Sequence, residues 1–269
     1  MINSLIAIRA AQMTTLTNLS SSPWTIWMHR QQNAQFRLFC FPYSGGNSSF
    51  YRGWENYFPS QIDIGAVEYP GRNNRIEEKP YTQLSSLVTI LLKELHNYFL
   101  EIPFAFFGHS LGGIVSFEIA QKLVHYDVFP SALFISACEA PQEINSVDKI
   151  SKLAEREFVE KLRKFGNTPE EILQNEELIR LLLPTMRADF ELAESYIYEV
   201  NPPLDIPIYV LGGIDDEIVS PQKLQGWSTH TTATFETHLF PGGHFFVRDN
   251  LTLVSKIICQ KIHKFEGYF

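Results

Sequence analysis

Gly108-His109-Ser110-Leu111-Gly112 sets a serine between two glycines, directly after the apolar run 104–107 and directly before a stretch of helical periodicity. A serine on a sharp strand-to-helix turn needs small neighbours, because the turn strains its backbone and other atoms approach it closely. Ser110 is therefore the candidate nucleophile, and His109 is expected to pack beneath the turn. A hydroxyl is a weak nucleophile at neutral pH, so it requires a base within hydrogen-bond reach and a carboxylate that orients the base. Pro241-Gly242-Gly243-His244-Phe245-Phe246 follows the last strand-like run, where a loop can hold an imidazole over the serine, and His244 is the candidate base. His29, His96, His125, His230, His238 and His263 fall in tail, helix or strand contexts and are read as structural. For the acid, Leu211-Gly212-Gly213-Ile214-Asp215-Asp216-Glu217-Ile218-Val219 offers three carboxylates between the serine and the histidine. Reading it as G-x-x-D-x-x-V selects Asp216, with Asp215 the alternative.

Acyl transfer through such a serine also needs fixed donors for the charge that develops on the carbonyl oxygen. The backbone N–H of Leu111, next to the nucleophile, is one candidate. Phe41-Pro42-Tyr43-Ser44-Gly45-Gly46 is a strand end running into paired glycines, and the N–H of Ser44 is the second.

The elements that must position these groups are legible as periodicity. Strand-like runs at 37–41, 63–68, 104–107, 132–136, 207–211 and 235–239 alternate with helical stripes. Leu84, Leu87, Val88, Leu91, Leu92, Leu95 and Phe99 mark one stripe; Ile114, Phe117, Ala120, Leu123 and Val124 a second; Leu251, Val254, Ile258 and Ile262 a third. Alternation of this kind specifies a mostly parallel sheet with crossover helices. With a G-x-S-x-G turn it predicts an α/β-hydrolase fold. Between about 139 and 200 the alternation gives way to Lys- and Glu-rich helical patterns, which predicts a helical lid inserted over the site. Residues 1–22 read as a flexible tail and 23–269 as one domain.

Composition narrows the function classes. At 269 residues and 45% hydrophobic the chain can bury a full core, and no apolar run approaches the length of a membrane-spanning helix. A formal net charge of −8 argues against a nucleic-acid partner, which requires clustered cations. Cys40, Cys138 and Cys259 are isolated and read as thiols of a reducing, cytoplasmic environment.

Phe39-Cys40-Phe41-Pro42-Tyr43-Ser44-Gly45-Gly46, Tyr69-Pro70-Gly71-Arg72 with Arg75, Phe106-Phe107-Gly108-His109-Ser110-Leu111-Gly112-Gly113 with Phe117-Glu118, Leu183-Pro184 with Arg187-Ala188-Asp189, and Gly242-Gly243-His244-Phe245 together resemble the type II thioesterases. These are discrete enzymes that accompany nonribosomal peptide and polyketide synthetases. The similarity runs from about Trp24 to the C-terminal helix; Leu111 stands where the family often has Met, and Ser44 where it usually has Ala. The resemblance implies hydrolysis of acyl thioesters from the phosphopantetheine arm of acyl or peptidyl carrier proteins. It also implies an editing role, no cofactor or metal beyond the arm that the substrate carries, and no membrane partner. Docking of an acidic carrier would need local cations, for which Arg72 and Arg75, or Lys161, Arg163 and Lys164, are the candidates. A carboxylesterase or lipase, an acyltransferase and a non-catalytic carrier-binding scaffold are the alternative readings.

Overall fold

The apolar runs assemble into one seven-stranded sheet. The computed structural model describes residues 22–144, 149–166 and 168–262. Its strands are β1 (Thr25–His29), β2 (Phe36–Phe41), β3 (Ile62–Val67), β4 (Phe104–His109), β5 (Leu133–Ser136), β6 (Ile208–Gly213) and β7 (Phe235–Phe240). Their order is β1-β3-β2-β4-β5-β6-β7, with β1 antiparallel to β3 and all other neighbours parallel. Parallel neighbours need long crossovers, which here include α1 (Leu84–Phe99) and α2 (Leu111–Leu123). Three helices follow β5, namely α3 (Glu155–Phe165), α4 (Glu170–Leu173) and α5 (Glu176–Glu194), and α6 (Leu251–Ile262) follows β7.

Strand side chains alternate between the two faces, as a period of two demands. Phe39, Phe41, Phe104 and Phe106 pack with the apolar stripes of α1 and α2 on one face. Leu38, Cys40, Ala105 and Phe107 pack on the other with Tyr51, Trp54 and the Val254, Ile258, Ile262 stripe of α6. Both faces are covered, so the central strands read as continuous hydrophobic runs.

Two features depart from the pattern read in the sequence. Thr25–His29 forms a strand that the periodicity does not announce; it is short, lies at the sheet edge and shows no alternation of burial. β6 runs on through Gly212 and Gly213, which pair with Leu239 and Phe240 rather than opening a loop. The expected tail, save Ser22, lies outside the described residues, as does His263. The expected helical insertion is present between β5 and β6, and its helices share a small core of their own built on Phe158, Leu162, Leu173, Ile179, Leu183 and Met186.

Candidate active site

Ser110 sits between β4 and α2 with φ +53° and ψ −120°, a conformation that costs a non-glycine residue on the order of 1–3 kcal/mol. The glycines around it are compelled by packing. A Cβ on Gly108 would stand 2.2 Å from the Gly112 carbonyl oxygen, and one on Gly112 would stand 2.1 Å from the Phe41 carbonyl oxygen. The second contact matters for chemistry, because it brings the end of β2, and with it the Ser44 loop, against the start of the nucleophile helix. The Ser110 N–H donates to the Ser136 carbonyl at 2.8 Å, which ties the turn to β5. Leu111 is the first residue of α2, so its N–H has no acceptor within the helix and lies at the positive end of the helix dipole. Ser44 and Gly45 form the corner of a turn closed by the Gly46 N–H on the Tyr43 carbonyl at 2.8 Å. Ser44, Ser110 and His244 line one cavity.

His109 is fully buried under the turn, its Nδ1 2.9 Å from the Ser136 hydroxyl. Burial first, then the neighbouring His244 and Arg248, hold its imidazole well below the usual range, so it is a neutral packing group.

His244 follows Gly242 and Gly243, whose carbonyls pass over Gly213 so closely that a Cβ there would meet them at 2.4 and 2.3 Å. This contact sets the histidine loop against the loop that leaves β6. His244 Nδ1 lies 2.9 Å from Asp216 Oδ2. Asp216 Oδ1 accepts the backbone N–H groups of Ile218 at 2.8 Å and Val219 at 2.9 Å. Burial pulls the Asp216 carboxyl upward, but His244 and the two backbone donors outweigh it and hold the group below the ordinary carboxylate range. Asp215 is exposed and turns its Oδ2 to the Gly242 N–H at 3.3 Å. Of the two neighbours, Asp216 is the one that meets the imidazole.

The serine turn, the histidine–carboxylate pair and the turn at Ser44 thus converge on one cavity, and the sequence matches the thioesterase domain family over residues 36–265. The chain belongs to the thioesterase family. It is 36% identical over 240 residues to the gramicidin S biosynthesis protein GrsT of Aneurinibacillus migulanus, spanning 89% of this chain and 93% of that protein. Thioesterase PikA5 of Streptomyces venezuelae is 33% identical over 234 residues, spanning 86% of this chain and 83% of that protein. Among solved structures, the type II thioesterase BorB of the borrelidin biosynthetic cluster superposes with a TM-score of 0.83 at 33% identity, covering 91% of this chain and 99% of that one. The thioesterase is of the type II kind and has the α/β-hydrolase fold.

In the thioesterase the cavity shared by Ser44, Ser110 and His244 measures about 420 Å³ and is roofed by insertion residues that include Leu162, Phe165, Leu182 and Phe190. A second cavity of about 190 Å³, bounded by Leu111, Ile114, Cys138, Ala193 and Tyr196, also reaches Ser110. Tyr196 donates its hydroxyl to Glu118 of α2 at 2.8 Å, which fixes one wall of the smaller cavity to the nucleophile helix. The sequence pattern marked the roof residues only as an amphipathic insertion; nothing in it showed which face would close over the serine.

Two of the expected docking cations are in fact internal. Arg72 is 5% exposed and forms a bidentate pair with Asp189 of α5, at 2.8 and 2.9 Å. Arg75 is 6% exposed, bonded through Nε and Nη2 to Glu78 and through Nη1 to the Glu68 carbonyl, and lies 3.9 Å over the Trp24 ring. An Arg side chain buried and satisfied in this way cannot meet a partner's surface, so both are removed from the docking set. Arg163 is half exposed but paired with Glu160 and Glu170. Lys161 and Lys164 border a shallow depression of the surface at α3. Among the described residues, no helix is long and apolar enough to cross a membrane.

Proposed function

We propose that this thioesterase removes acyl groups held as thioesters on the phosphopantetheine arm of carrier proteins, restoring the free thiol of stalled nonribosomal peptide or polyketide synthetases in the cytoplasm. The observation that carries the reading is Ser110 on a strained turn, opening into the same cavity as a His244 whose other nitrogen is held by buried Asp216. Ser110 Oγ attacks the thioester carbonyl as its proton passes to His244 Nε2, and the oxyanion is met by the N–H groups of Leu111 and Ser44. The C–S bond then breaks, and His244 returns the proton to the departing sulfur. Water, deprotonated by His244, attacks the acyl-serine, and the carboxylic acid and Ser110 are released. A thiol of ordinary pKa about 8.5 leaves far more readily than an alkoxide, so thioesters suit this serine. Because His244 must reach the sulfur, the arm lies in the larger cavity that His244 lines, and the acyl group occupies the smaller one. No metal or cofactor takes part.

The test compares one acyl group on a carrier protein and on free pantetheine. Higher kcat/KM on the carrier is expected, from binding of the carrier. Lys161→Glu with Lys164→Glu should reduce that advantage. Equal efficiency on both substrates in the unsubstituted protein would remove the editing role and favour a general esterase.

A further inference from the structure

The turn that presents the Ser44 N–H is held by two buried charges, one of them from the insertion. Residues 43–46 form a β-turn whose third residue, Gly45, has φ +77°, the value a type II turn requires there. Types I and II differ by a flip of the central peptide, here the one joining Ser44 to Gly45, and a turn with two adjacent glycines has little intrinsic reason to keep one form. Asp189 supplies that reason. Its side chain is fully buried on α5, and its Oδ2 accepts the Gly45 N–H at 2.7 Å. A flipped peptide would instead turn the Ser44 carbonyl oxygen toward the carboxylate, acceptor against acceptor. Arg72 completes the arrangement by bonding both Asp189 oxygens while its Nη1 donates to the Gly46 carbonyl at 2.6 Å. One helical turn earlier on α5, Thr185 donates to the Gly71 carbonyl at 2.5 Å, so the same helix also grips the loop that carries Arg72.

We infer that Asp189, backed by Arg72, is a positioning residue for catalysis: by holding the Gly45 N–H and the Gly46 carbonyl the pair pins the turn of residues 43–46 to α5, and so fixes where the preceding peptide places the Ser44 N–H for the oxyanion. The inference rests on the acyl-serine mechanism above and adds to it a pair of groups set apart from the reacting atoms, Asp189 behind the wall of the larger cavity and Arg72 at its border. It also makes α5 a fixed wall of the site, because lifting that helix would open a buried ion pair and release the oxyanion turn together.

The test separates charge from hydrogen bonding. Arg72→Met with Asp189→Leu removes the ion pair and the acceptor for Gly45; Arg72→Met with Asp189→Asn removes the ion pair but keeps a neutral acceptor. Apolar replacement of a buried pair is often tolerated by folding. With acetyl-pantetheine as substrate, the Leu double variant should lose kcat by about tenfold or more with KM within about threefold, since loss of an oxyanion donor acts on the transition state alone. The Asn double variant should keep kcat within about fivefold of the unsubstituted protein. A trifluoromethyl ketone, which forms an oxyanion adduct on the serine, should weaken in parallel with kcat, a response that loss of stability alone would not produce. Equal kcat in two folded double variants, or a loss confined to KM, overturns the inference. Should either double variant fail to fold, replacing Gly45 by glycolic acid exchanges that N–H for an ester oxygen and leaves every side chain in place; the same fall in kcat at constant KM is expected, and an unchanged kcat overturns the inference. Phosphonate labelling of Ser110 in the unsubstituted protein reads the underlying mechanism separately: labelling with no effect of the variants sinks this inference alone, and absence of labelling takes both down.

Discussion

Asp216→Asn should lower kcat by about 10³–10⁴-fold, equivalent to about 4–5.5 kcal/mol of activation free energy. The size follows from how the carboxylate is held. Oδ1 accepts two backbone N–H groups, from Ile218 and Val219, and Oδ2 faces His244 Nδ1. An asparagine at 216 has one oxygen, and that oxygen must stay with the two backbone donors. The reversed amide would leave two N–H groups facing an NH₂, at about 1–3 kcal/mol for each unsatisfied donor. The amide NH₂ therefore points at Nδ1, and the imidazole carries its proton on Nε2, the nitrogen that should take the proton from Ser110. The negative charge that stabilises the imidazolium is lost as well. Asp216 does not line the substrate cavity, so KM should hold. Asp215→Asn keeps an oxygen for the Gly242 N–H, removes only an exposed charge and should leave kcat within about threefold. Release of free thiol from acetyl-pantetheine, followed with a disulfide chromogen at several substrate concentrations, gives both constants. A kcat for Asp216→Asn above about one-tenth of the parent value, or a larger loss in Asp215→Asn, would refute the reasoning.

Ser110→Gly should abolish turnover yet raise the midpoint of thermal unfolding above that of Ser110→Ala, because φ +53° is strained for alanine and free for glycine; equal midpoints would show that the turn stores no strain. Ala193→Phe should fill the smaller cavity and lower kcat/KM for longer acyl-pantetheines more than for acetyl-pantetheine, and a uniform effect across chain lengths would place the acyl group elsewhere. Asp216, whose folded pKa is depressed, contributes stability that is present above the ordinary carboxylate range and lost as pH falls through its folded value. The stability gap between the parent and Asp216→Asn in urea unfolding should therefore narrow as pH is lowered from about 5 to 3, and a gap independent of pH would contradict the assignment.

Local chemistry made much of this protein legible in one dimension. Gly108-His109-Ser110-Leu111-Gly112 declares its turn because only small residues survive where a Cβ would stand about 2 Å from a carbonyl oxygen. The central strands and crossover helices declare themselves because burial on both faces demands unbroken apolar runs and 3.6-residue stripes. The edge strand at Thr25–His29 was not legible, since five residues with no alternation of burial take their form from pairing with β3 rather than from any pattern of their own. The fates of the charged residues were not legible either. Asp215 and Asp216 are adjacent and chemically alike, and only the path of the chain past Gly242 and Gly243 decides which of them meets His244. Arg72 and Arg75 look in sequence like surface cations beside a strand end. Their partners Asp189 and Glu78 lie 117 and 3 residues away, and only tertiary packing decided that both guanidinium groups would be buried. Sequence carries what short-range sterics and periodic burial impose; the pairing of charges across long stretches of chain belongs to the fold, because an ion pair leaves no periodic trace in the residues between its members.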